Sequence, residues 1–566
     1  MGAAGGGWSS EAIKHVPLPA RGIYIWLAAI WASYSGGLHG FNTANISGTM
    51  GLKPFVRDFG WGDLSDSTVS NYEGWVVSSM LLVRQSSPCS SLCPCQMLIF
   101  FSYQGQTVGV LIAGPLGERR GRKAVIMLSA ILYTIGAILM AANFGSLAEL
   151  LVGRIFSGLG SGAGMVVGPI YISEIAPTEM RGMMTTFYNI NIMAGVAGSY
   201  WINFGSLEQI AAENSWQWRT TLVLQLIPSV VLFIGYVFFP ESPRYLMMRG
   251  RTNAAHDSLS RLRGLDDSSP YFESEFNELK GRFDASADSQ SAFASFKSLL
   301  GSCVTDPPTR KLLLFVIIIQ TFFIMSGGNS ITYYAPTILK SIGLDSQQRL
   351  LFSAIYGMIK VASVFLYAFV LTDRFGRRPL LLIGSTINVI CLCYIAVYLG
   401  VADLSGSDDP SAAAWVAIVA ICFFAIGYGF GWAPAFSLTA SEICPTPIRG
   451  TVVTIAFVYQ NLLNFAITRG FPNMTTDMQA WGPFVLFTAF TFVATCWVFV
   501  AFPECKGRSM EKADTLFSMP WYKIGFSKVP DTSEVLTTGA DLEKATSSEH
   551  TEHISLEDNK RRKEEM

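Results

Sequence analysis

The chain has 566 residues, a length that would correspond to three or four domains in a soluble protein. Half of the residues are hydrophobic and only 14% are charged, against about 25% in soluble domains, so lipid is needed to cover this chain. With 40 basic and 41 acidic residues, the net charge of −1 excludes the basic surface that nucleic-acid binding requires.

Twelve apolar stretches follow one another along the chain, and most approach the roughly 20 residues that a membrane-spanning helix needs. They form a predicted N-terminal half at 22–239 and a C-terminal half at 311–502, after a cytoplasmic segment at 1–21. Called spans 1 to 12 below, they cover 22–48, 70–82 continued at 105–116, 124–143, 148–172, 183–204, 219–239, 311–338, 349–371, 379–400, 413–437, 451–470 and 481–502.

Two polar segments lie outside these halves. Residues 240–310 are predicted to be a cytoplasmic linker with amphipathic helices, and residues 503–566 a cytoplasmic, largely disordered tail. The basic loops at 118–123 and 373–379 should face the cytosol, because Lys and Arg accumulate in short cytoplasmic loops. An even number of spans then places both ends and the linker on that side.

Span 2 is interrupted by residues 83–104, VRQSSPCSSLCPCQMLIFFSYQ. Pro88 and Pro94 would distort a helix in mid-membrane, whereas removing these 22 residues restores one continuous span. Val-Arg and Tyr-Gln can be encoded by GTA-AGA and TAC-CAG, the usual ends of an intron. We therefore predict a retained intron in the gene model; the alternative is a true extracellular or re-entrant loop that carries three cysteines. No metal site is predicted there, since no histidine lies nearby.

The two halves repeat each other in sequence. ERRGRK at 118–123 recurs as DRFGRR at 373–378, EIAPTEMRG at 174–182 as EICPTPIRG at 442–450, and Pro240-Glu241 as Pro503-Glu504. The offsets of 255, 268 and 263 residues agree within the variation expected of loop lengths. Parallel duplicated halves are typical of secondary transporters, whose solute site lies between the halves near the membrane midplane.

Five motifs then carry a resemblance to a known family. They are Gly114-x3-Glu118-Arg119-x-Gly121-Arg122-Lys123, Gly153-Arg154-x3-Gly158-x-Gly160-x-Gly162, PESPRYL at 240–246, NSITYYAP at 329–336 and PECKGRS at 503–509. Together they resemble the sugar porter family of the major facilitator superfamily. The resemblance implies an all-α membrane protein with twelve transmembrane helices in two six-helix pseudo-symmetric halves. It also implies alternating-access transport of a small sugar-like solute, without a cofactor, by a monomer in the lipid bilayer, with the plasma membrane as its expected location.

Charged residues recur at the predicted cytoplasmic ends of the spans. Complementary charges there can pair when the cytoplasmic side closes and separate when it opens, so a gating role is predicted; the alternative is simple positive-inside anchoring. The set comprises Glu118, Arg119, Arg122, Glu174, Arg181 and Glu241 in the first half, with Asp373, Arg374, Arg377, Glu442, Arg449 and Glu504 in the second.

Span 1 departs from the pattern of proton-coupled relatives. These have an Asp that faces an intramembrane Arg, and the resemblance matches these positions to Asn42 and Arg154. Asn cannot titrate, so facilitated, downhill transport is predicted. The alternative is proton coupling through His39, which lies three residues earlier and whose unperturbed pKa is about 6.5.

The solute contacts implied by the resemblance are also altered. Hexose-binding relatives have Gln where this chain has Asn189, Phe323 and Ile324, and Trp where it has Ser437, so plain glucose transport is not expected. Tyr333 and Tyr334 alternatively fit an interfacial aromatic belt. Arg469, at the outer end of span 11, is consistent with an anionic, quinate- or galacturonate-like solute or with a cation that reaches the interface. The predicted solute contacts are Asn189, Asn329, Tyr333, Tyr334, Gln460 and Trp432.

Other functional classes are less consistent with the residues. The five histidines are scattered and no nucleotide-binding glycine motif is present, so an enzyme is not predicted. A transporter-like nutrient receptor remains as an alternative, as does a protein made non-functional by a translated insert in span 2.

Overall fold

The fold was analysed in a computed structural model. It describes residues 17, 22–63, 68–69, 72–74, 76, 105–177, 180–265, 269–284, 301, 306–401, 411–434, 449–504 and 525. The proposed insert at 83–104, Glu442, the N-terminal segment except Pro17 and nearly all of the tail lie outside the described residues.

The described residues form helices and no strand, and each predicted span coincides with a helix wherever it is described. Spans 6, 7 and 8 are each built from consecutive helices. In chain order the helices are Ile23–Met50, Gly105–Arg120, Arg122–Ala141, Leu147–Ile175, Arg181–Gln209, Trp216–Leu224 with Ile227–Phe238, Pro307–Met325 with Gly328–Ser341, Ser346–Leu366 with the π-turn Tyr367–Leu371 and Thr372–Phe375, Arg377–Val401, Ala412–Phe430, Arg449–Asp477 and Gly482–Ala501.

The helices differ in what they bury. Eight in the described part of the chain, those of spans 3, 4, 6 to 10 and 12, combine the length and the hydropathy of a membrane span. Spans 1, 5 and 11 are 28 or 29 residues long but bury polar side chains such as Asn42, Asn203 and Gln460. Since polar groups in a membrane protein face the bundle interior or a water-filled cavity, these three spans contribute to the polar centre.

Large apolar side chains cover the outside. Val237 of span 6, Ile390 of span 9 and Phe492 of span 12 are 75%, 64% and 59% exposed. A soluble monomer rarely exposes so continuous an apolar surface, whereas a bilayer solvates it.

The glycine-rich motif of span 4 has a packing role. Gly153 and Gly160 meet the main chain of span 3, and Gly162 meets the main chain of span 2, so closely that a Cβ atom at any of these positions would collide. Small residues allow helix backbones to approach in a membrane, where packing rather than the hydrophobic effect drives association. The motif thus holds the N-terminal half together.

The contacts between the two halves include two at different depths. Tyr200 of span 5 donates a hydrogen bond to the main-chain carbonyl of Thr332 in span 7. Nearer the cytoplasmic ends, the rings of Phe187 in span 5 and Phe369 in span 8 pack edge to face at 6.0 Å. The halves are therefore in contact both beside and below the polar centre.

Three helices are described in the linker between residues 240 and 284, Pro243–Met248, Thr252–Arg263 and Pro270–Asp284. Arg263, which is 1% exposed, ties them to the first half by donating to the carbonyl of Ile175 at 2.8 Å and to both carboxylate oxygens of Glu275. Because the end of span 4 and two linker helices share this one guanidinium, the linker is fixed against the cytoplasmic face.

Candidate solute and coupling site

Arg154 forms the centre of the first half. Its guanidinium donates to the main-chain carbonyl of Asn42 at 2.8 Å and to the Asn42 side-chain oxygen at 2.5 Å, and also to the carbonyl of Val76 at 3.2 Å. Ser157 donates to the same Asn42 oxygen at 3.3 Å. A buried cation thus joins spans 1, 2 and 4 through neutral oxygens, at the position where proton-coupled relatives are expected to hold a carboxylate.

His39 lies apart from this group. Its Nδ1 atom is 3.0 Å from the amide nitrogen of Gln106 in span 2. With the amide nitrogen of Gln106 placed towards it, Nδ1 of His39 accepts in this arrangement.

Span 7 is broken within the sequence Ser326-Gly327-Gly328-Asn329. Gly327 has a left-handed backbone with φ +79°, a conformation that glycine adopts without strain, and the helix Gly328–Ser341 starts directly after it. Gly328 lies so close to the ring of Tyr428 in span 10 that a Cβ atom would collide with it. The break therefore brings Asn329 beside span 10.

Asn329 and Tyr333 join a hydrogen-bonded cluster between spans 7, 10 and 11. Asn329 donates to Asn464 at 3.3 Å and accepts from the hydroxyl of Tyr428 at 3.2 Å. Asn464 in turn donates to the hydroxyl of Tyr333 at 3.2 Å. These groups can rearrange towards the hydroxyls of a solute, since amides and phenols both donate and accept.

Tyr334 is turned towards span 11. Its hydroxyl donates to the carbonyl of Thr468 at 2.9 Å, and its ring stacks on Phe471 at 4.9 Å. Tyr333 and Tyr334 are each 1% exposed, so neither lies at the lipid surface where an aromatic belt would be found.

The other predicted contacts carry polar atoms without a protein partner among the described residues. Gln460 has a free side-chain oxygen and Trp432 a free indole N–H, at exposures of 5% and 0%. Asn189 is 8% exposed, and its amide makes no side-chain hydrogen bond within the described part of the chain. Buried polar groups normally find a partner, so a solute or water is expected at these atoms.

Sequence reasoning missed Lys360, Tyr428 and Asn464. Lys360 in span 8 is 2% exposed, and its Nζ donates to Thr332 at 2.7 Å. The signal was available, because an ionisable residue within a membrane span is a functional candidate by default. Tyr428 stands in an apolar stretch. Asn464 lies one helical turn from Gln460 and from Thr468, a polar pattern that the sequence reasoning did not use.

The cytoplasmic charges of the first half surround the start of span 3. Glu241 accepts from the main-chain N–H groups of Arg122 at 3.1 Å and of Lys123 at 3.1 Å. Gly121 precedes them with φ +104°, and a Cβ atom there would collide with the Glu241 carboxylate. Burial raises the pKa of the Glu241 carboxyl, against the opposing effect of these N–H groups and Arg122. Beside it, Arg122 forms a buried ion pair with Glu174 at 2.9 Å.

The second half repeats this helix cap. Glu504 accepts from the main-chain N–H groups of Arg377 and Arg378, both at 3.1 Å. Gly376 precedes them with φ +80°, and a Cβ atom would lie 2.7 Å from the carboxylate. Glu241 follows span 6 and Glu504 follows span 12, the last span of each half. Each thus accepts from main-chain N–H groups that have no partner within their own helix, at the start of span 3 and of span 9.

The remaining predicted gating residues have other surroundings. The carbonyl of Arg119 accepts from Tyr245 at 3.3 Å, Glu118 and Arg374 are exposed, and Arg181 is partly buried at the start of span 5. The side chains of Asp373 and Arg449 and the whole of Glu442 lie outside the described residues. The Arg122–Glu174 pair and both helix caps join elements of the same half.

Two repeated six-span halves, a polar centre lined by spans 1, 5, 7 and 11, and an apolar exterior define a membrane transporter with the major facilitator fold. The sequence profile of the family described as "Sugar (and other) transporter" matches residues 28–517. The chain belongs to that family.

Individual relatives match nearly the whole chain. A probable quinate permease of Aspergillus fumigatus is 31% identical over 524 residues, covering 89% of this chain and 90% of the relative. The quinate permease of Emericella nidulans is 29% identical over 519 residues, covering 89% and 91%. Sugar transport protein 7 of Arabidopsis thaliana is 29% identical over 502 residues, covering 88% and 91%.

Solved structures confirm the fold. The proton:xylose symporter XylE bound to 6-bromo-6-deoxy-D-glucose aligns with a TM-score of 0.69 at 24% identity, over 88% of this chain and 99% of that chain. An inward-open structure of the xylose transporter XylE from E. coli gives a TM-score of 0.66 at 23% identity, covering 87% and 99%.

Proposed function

We propose that this protein is a facilitative transporter of a sugar-like, polyhydroxylated solute, active as a monomer in the plasma membrane by alternating access. The contact between Arg154 and Asn42 carries the facilitative part of the proposal. The neutral amide occupies the position from which a carboxylate would exchange a proton, yet it still holds the guanidinium at 2.5 Å. Asn42 therefore keeps the contact with Arg154 but has no group that can bind and release a proton.

The residues of the polar centre support the solute class. Amide and phenol groups of spans 7, 10 and 11 form one hydrogen-bonded cluster. Gln460 in span 11 and Trp432 in span 10 each carry a further polar atom without a partner among the described residues. Such groups recognise hydroxyls by donating and accepting together. The names of the relatives, quinate permease and sugar transport protein, fit a solute that carries several hydroxyls.

The cytoplasmic charges complete the proposed mechanism. Glu241 and Glu504 brace the inner ends of spans 3 and 9, and the Arg122–Glu174 pair ties span 3 to span 4. We assign this set the role of keeping each half rigid while the halves move against each other, with Phe187 and Phe369 separating when the inner side opens.

Uptake by proteoliposomes tests the coupling mode. Vesicles that contain the purified protein but no internal solute take up labelled quinate, galacturonate, hexoses or polyols, with and without an imposed pH gradient. We expect net uptake that stops when the inside and outside concentrations are equal and that a protonophore does not change. Uphill accumulation that the protonophore abolishes would contradict facilitated transport.

Proton-coupled symport through His39 is the second candidate, because this imidazole is held inside the bundle by Gln106. The variant His39→Gln distinguishes facilitated transport from coupling through His39. If transport is facilitative, the variant should transport the solute as the wild type does. If His39 couples, the response of transport to a pH gradient should disappear in the variant. A chain that binds solutes but exchanges none would instead support the receptor alternative.

A further inference from the structure

Lys360 is a buried cation that the coupling site does not use. It lies within the helix Ser346–Leu366, its Nζ donates to the Thr332 hydroxyl at 2.7 Å, and it stands over the rings of Tyr428 at 4.8 Å and Tyr356 at 5.4 Å. No ion pair of Lys360 occurs among the residues that the structure describes. Within the described part of the chain, one hydroxyl and two aromatic faces therefore meet its charge.

This environment is incomplete for an ammonium group. Lys carries three N–H donors, and one is satisfied here. Buried charges are normally paired or fully hydrogen-bonded, because their removal from water is costly. Aromatic faces compensate only in part. An uncompensated cation of this kind is a strong site for an incoming anion, since the desolvation has already occurred.

The surroundings of Lys360 connect it to the solute cluster. The Tyr428 ring beneath its ammonium group belongs to the same side chain whose hydroxyl donates to Asn329. Its hydrogen-bond partner Thr332 precedes Tyr333, whose hydroxyl accepts from Asn464. A solute whose hydroxyls bind the amides of spans 7 and 11 would thus lie close to Lys360, separated from it by the side chain of Tyr428.

The other buried or partly buried cations near this centre have different settings. Arg154 donates to carbonyl oxygens of Asn42 and Val76. Arg469 lies near the outer end of span 11, against Gly74 and near Tyr334. Of these three cations, Lys360 is the one that stands over the ring of Tyr428, which belongs to the amide cluster.

We propose that Lys360 binds the carboxylate of the transported solute, and that the solute is a polyhydroxylated monocarboxylate of the quinate or galacturonate type. Nζ donates to one carboxylate oxygen and the Thr332 hydroxyl turns to donate to the other, while the amide cluster binds the ring hydroxyls. The proposal rests on the transporter function proposed above and adds the charge of its solute.

The test compares each acid with its uncharged methyl ester. Proteoliposomes with the wild-type protein, Lys360→Met, or the exposed control Lys340→Met exchange labelled quinate, galacturonate and the two esters. Loss of one charge-assisted hydrogen bond is expected to lower kcat/KM for the acid about 10- to 100-fold. Exchange of the ester should change no more than about threefold, because the ester has no carboxylate for the ammonium group of Lys360 to bind. Lys340→Met should match the wild type for every solute.

Binding provides a second readout. Either acid should raise the Tm of the wild type and of Lys340→Met, and should leave that of Lys360→Met unchanged. Lys360→Met that exchanges the acids as the wild type does, or a wild type that exchanges only the esters or neutral sugars, would overturn the proposal. Loss of acid and ester exchange alike would assign Lys360 a structural role, also against it. A wild type that exchanges no solute at all would instead refute the transporter function.

Discussion

A single amide at residue 42 decides how the proposed transport cycle is driven. The Asn42 side-chain oxygen is 2.5 Å from Nη1 of Arg154, so an Asp would occupy the same space with one oxygen already in contact. Asp differs from Asn in that its side chain can bind and release a proton. The two side chains have the same shape, so the surrounding packing is the same for both.

Asn42→Asp is therefore expected to fold and to make exchange pH-dependent. A carboxylate beside a buried guanidinium strengthens the contact, and its protonation at low external pH would weaken it again. The measurement is the rate of solute exchange between pH 5 and pH 8, with Asn42→Ala as the control that removes the side-chain oxygen altogether. A pH profile of Asn42→Asp that equals that of the wild type would show that this position does not couple.

Residues 42, 154 and 329 could be selected from the sequence because motifs surround them. Lys360, Tyr428 and Asn464 could not be placed in the site, because the sequence does not show which faces of spans 8, 10 and 11 meet span 7. In such helices the hydrophobic pattern does not reveal which face meets another helix, and the packing alone does so.

At the scale of elements, the repeated motifs are helix caps. Gly121 and Glu241 are 120 positions apart, as counted along the chain, yet they meet at the start of span 3, and Gly376 and Glu504 meet in the same way at the start of span 9. Each glycine provides a backbone with positive φ and the space that the carboxylate occupies. The sequence repeats therefore correspond to the same contact, between a glutamate and the start of a helix, in each half.

Gly376→Ala should destabilise the second half by about 1–3 kcal/mol, through a strained backbone and a collision with Glu504. Thermal unfolding in detergent or lipid nanodiscs measures the effect, and we expect a lower Tm and reduced exchange. Gly114→Ala is the matched control, since a Cβ atom there meets nothing within 4 Å. Equal Tm values for the two variants would remove the basis for the cap.

The prediction that the charged motifs gate the cytoplasmic side is refined at this scale. The described contacts of Arg122, Glu174, Glu241 and Glu504 lie inside one half or the other. Sequence repeats locate such residues at helix ends but do not determine whether a partner belongs to the same half. That depends on which helix ends are neighbours in space.

At the scale of the whole molecule, transport requires the two halves to separate alternately on each side. Phe187 and Phe369 are in ring contact at 6.0 Å near the cytoplasmic ends of spans 5 and 8. This contact has to break when the inner side opens.

A cross-link between Phe187→Cys and Phe369→Cys should therefore stop exchange. Treatment with a short thiol-reactive cross-linker is expected to reduce solute exchange to background, and the two single variants treated alike should retain it, which also controls for the ten native cysteines. Mobility on a gel after cleavage within the linker verifies the cross-link. Full exchange by a cross-linked double variant would contradict opening at this point.

The sequence by itself determined the class of protein: its apolar composition requires a bilayer, its repeats require two parallel halves, and Ser326-Gly327-Gly328-Asn329 predicts the break in span 7. These features are local or periodic, so they can be read along the chain. Tertiary structure alone decided that Glu241 and Glu504 cap helices, that Tyr428 and Asn464 join Asn329, and that Lys360 stands over the ring of Tyr428. Such contacts join distant spans, and their energies arise only when particular helix faces pack together.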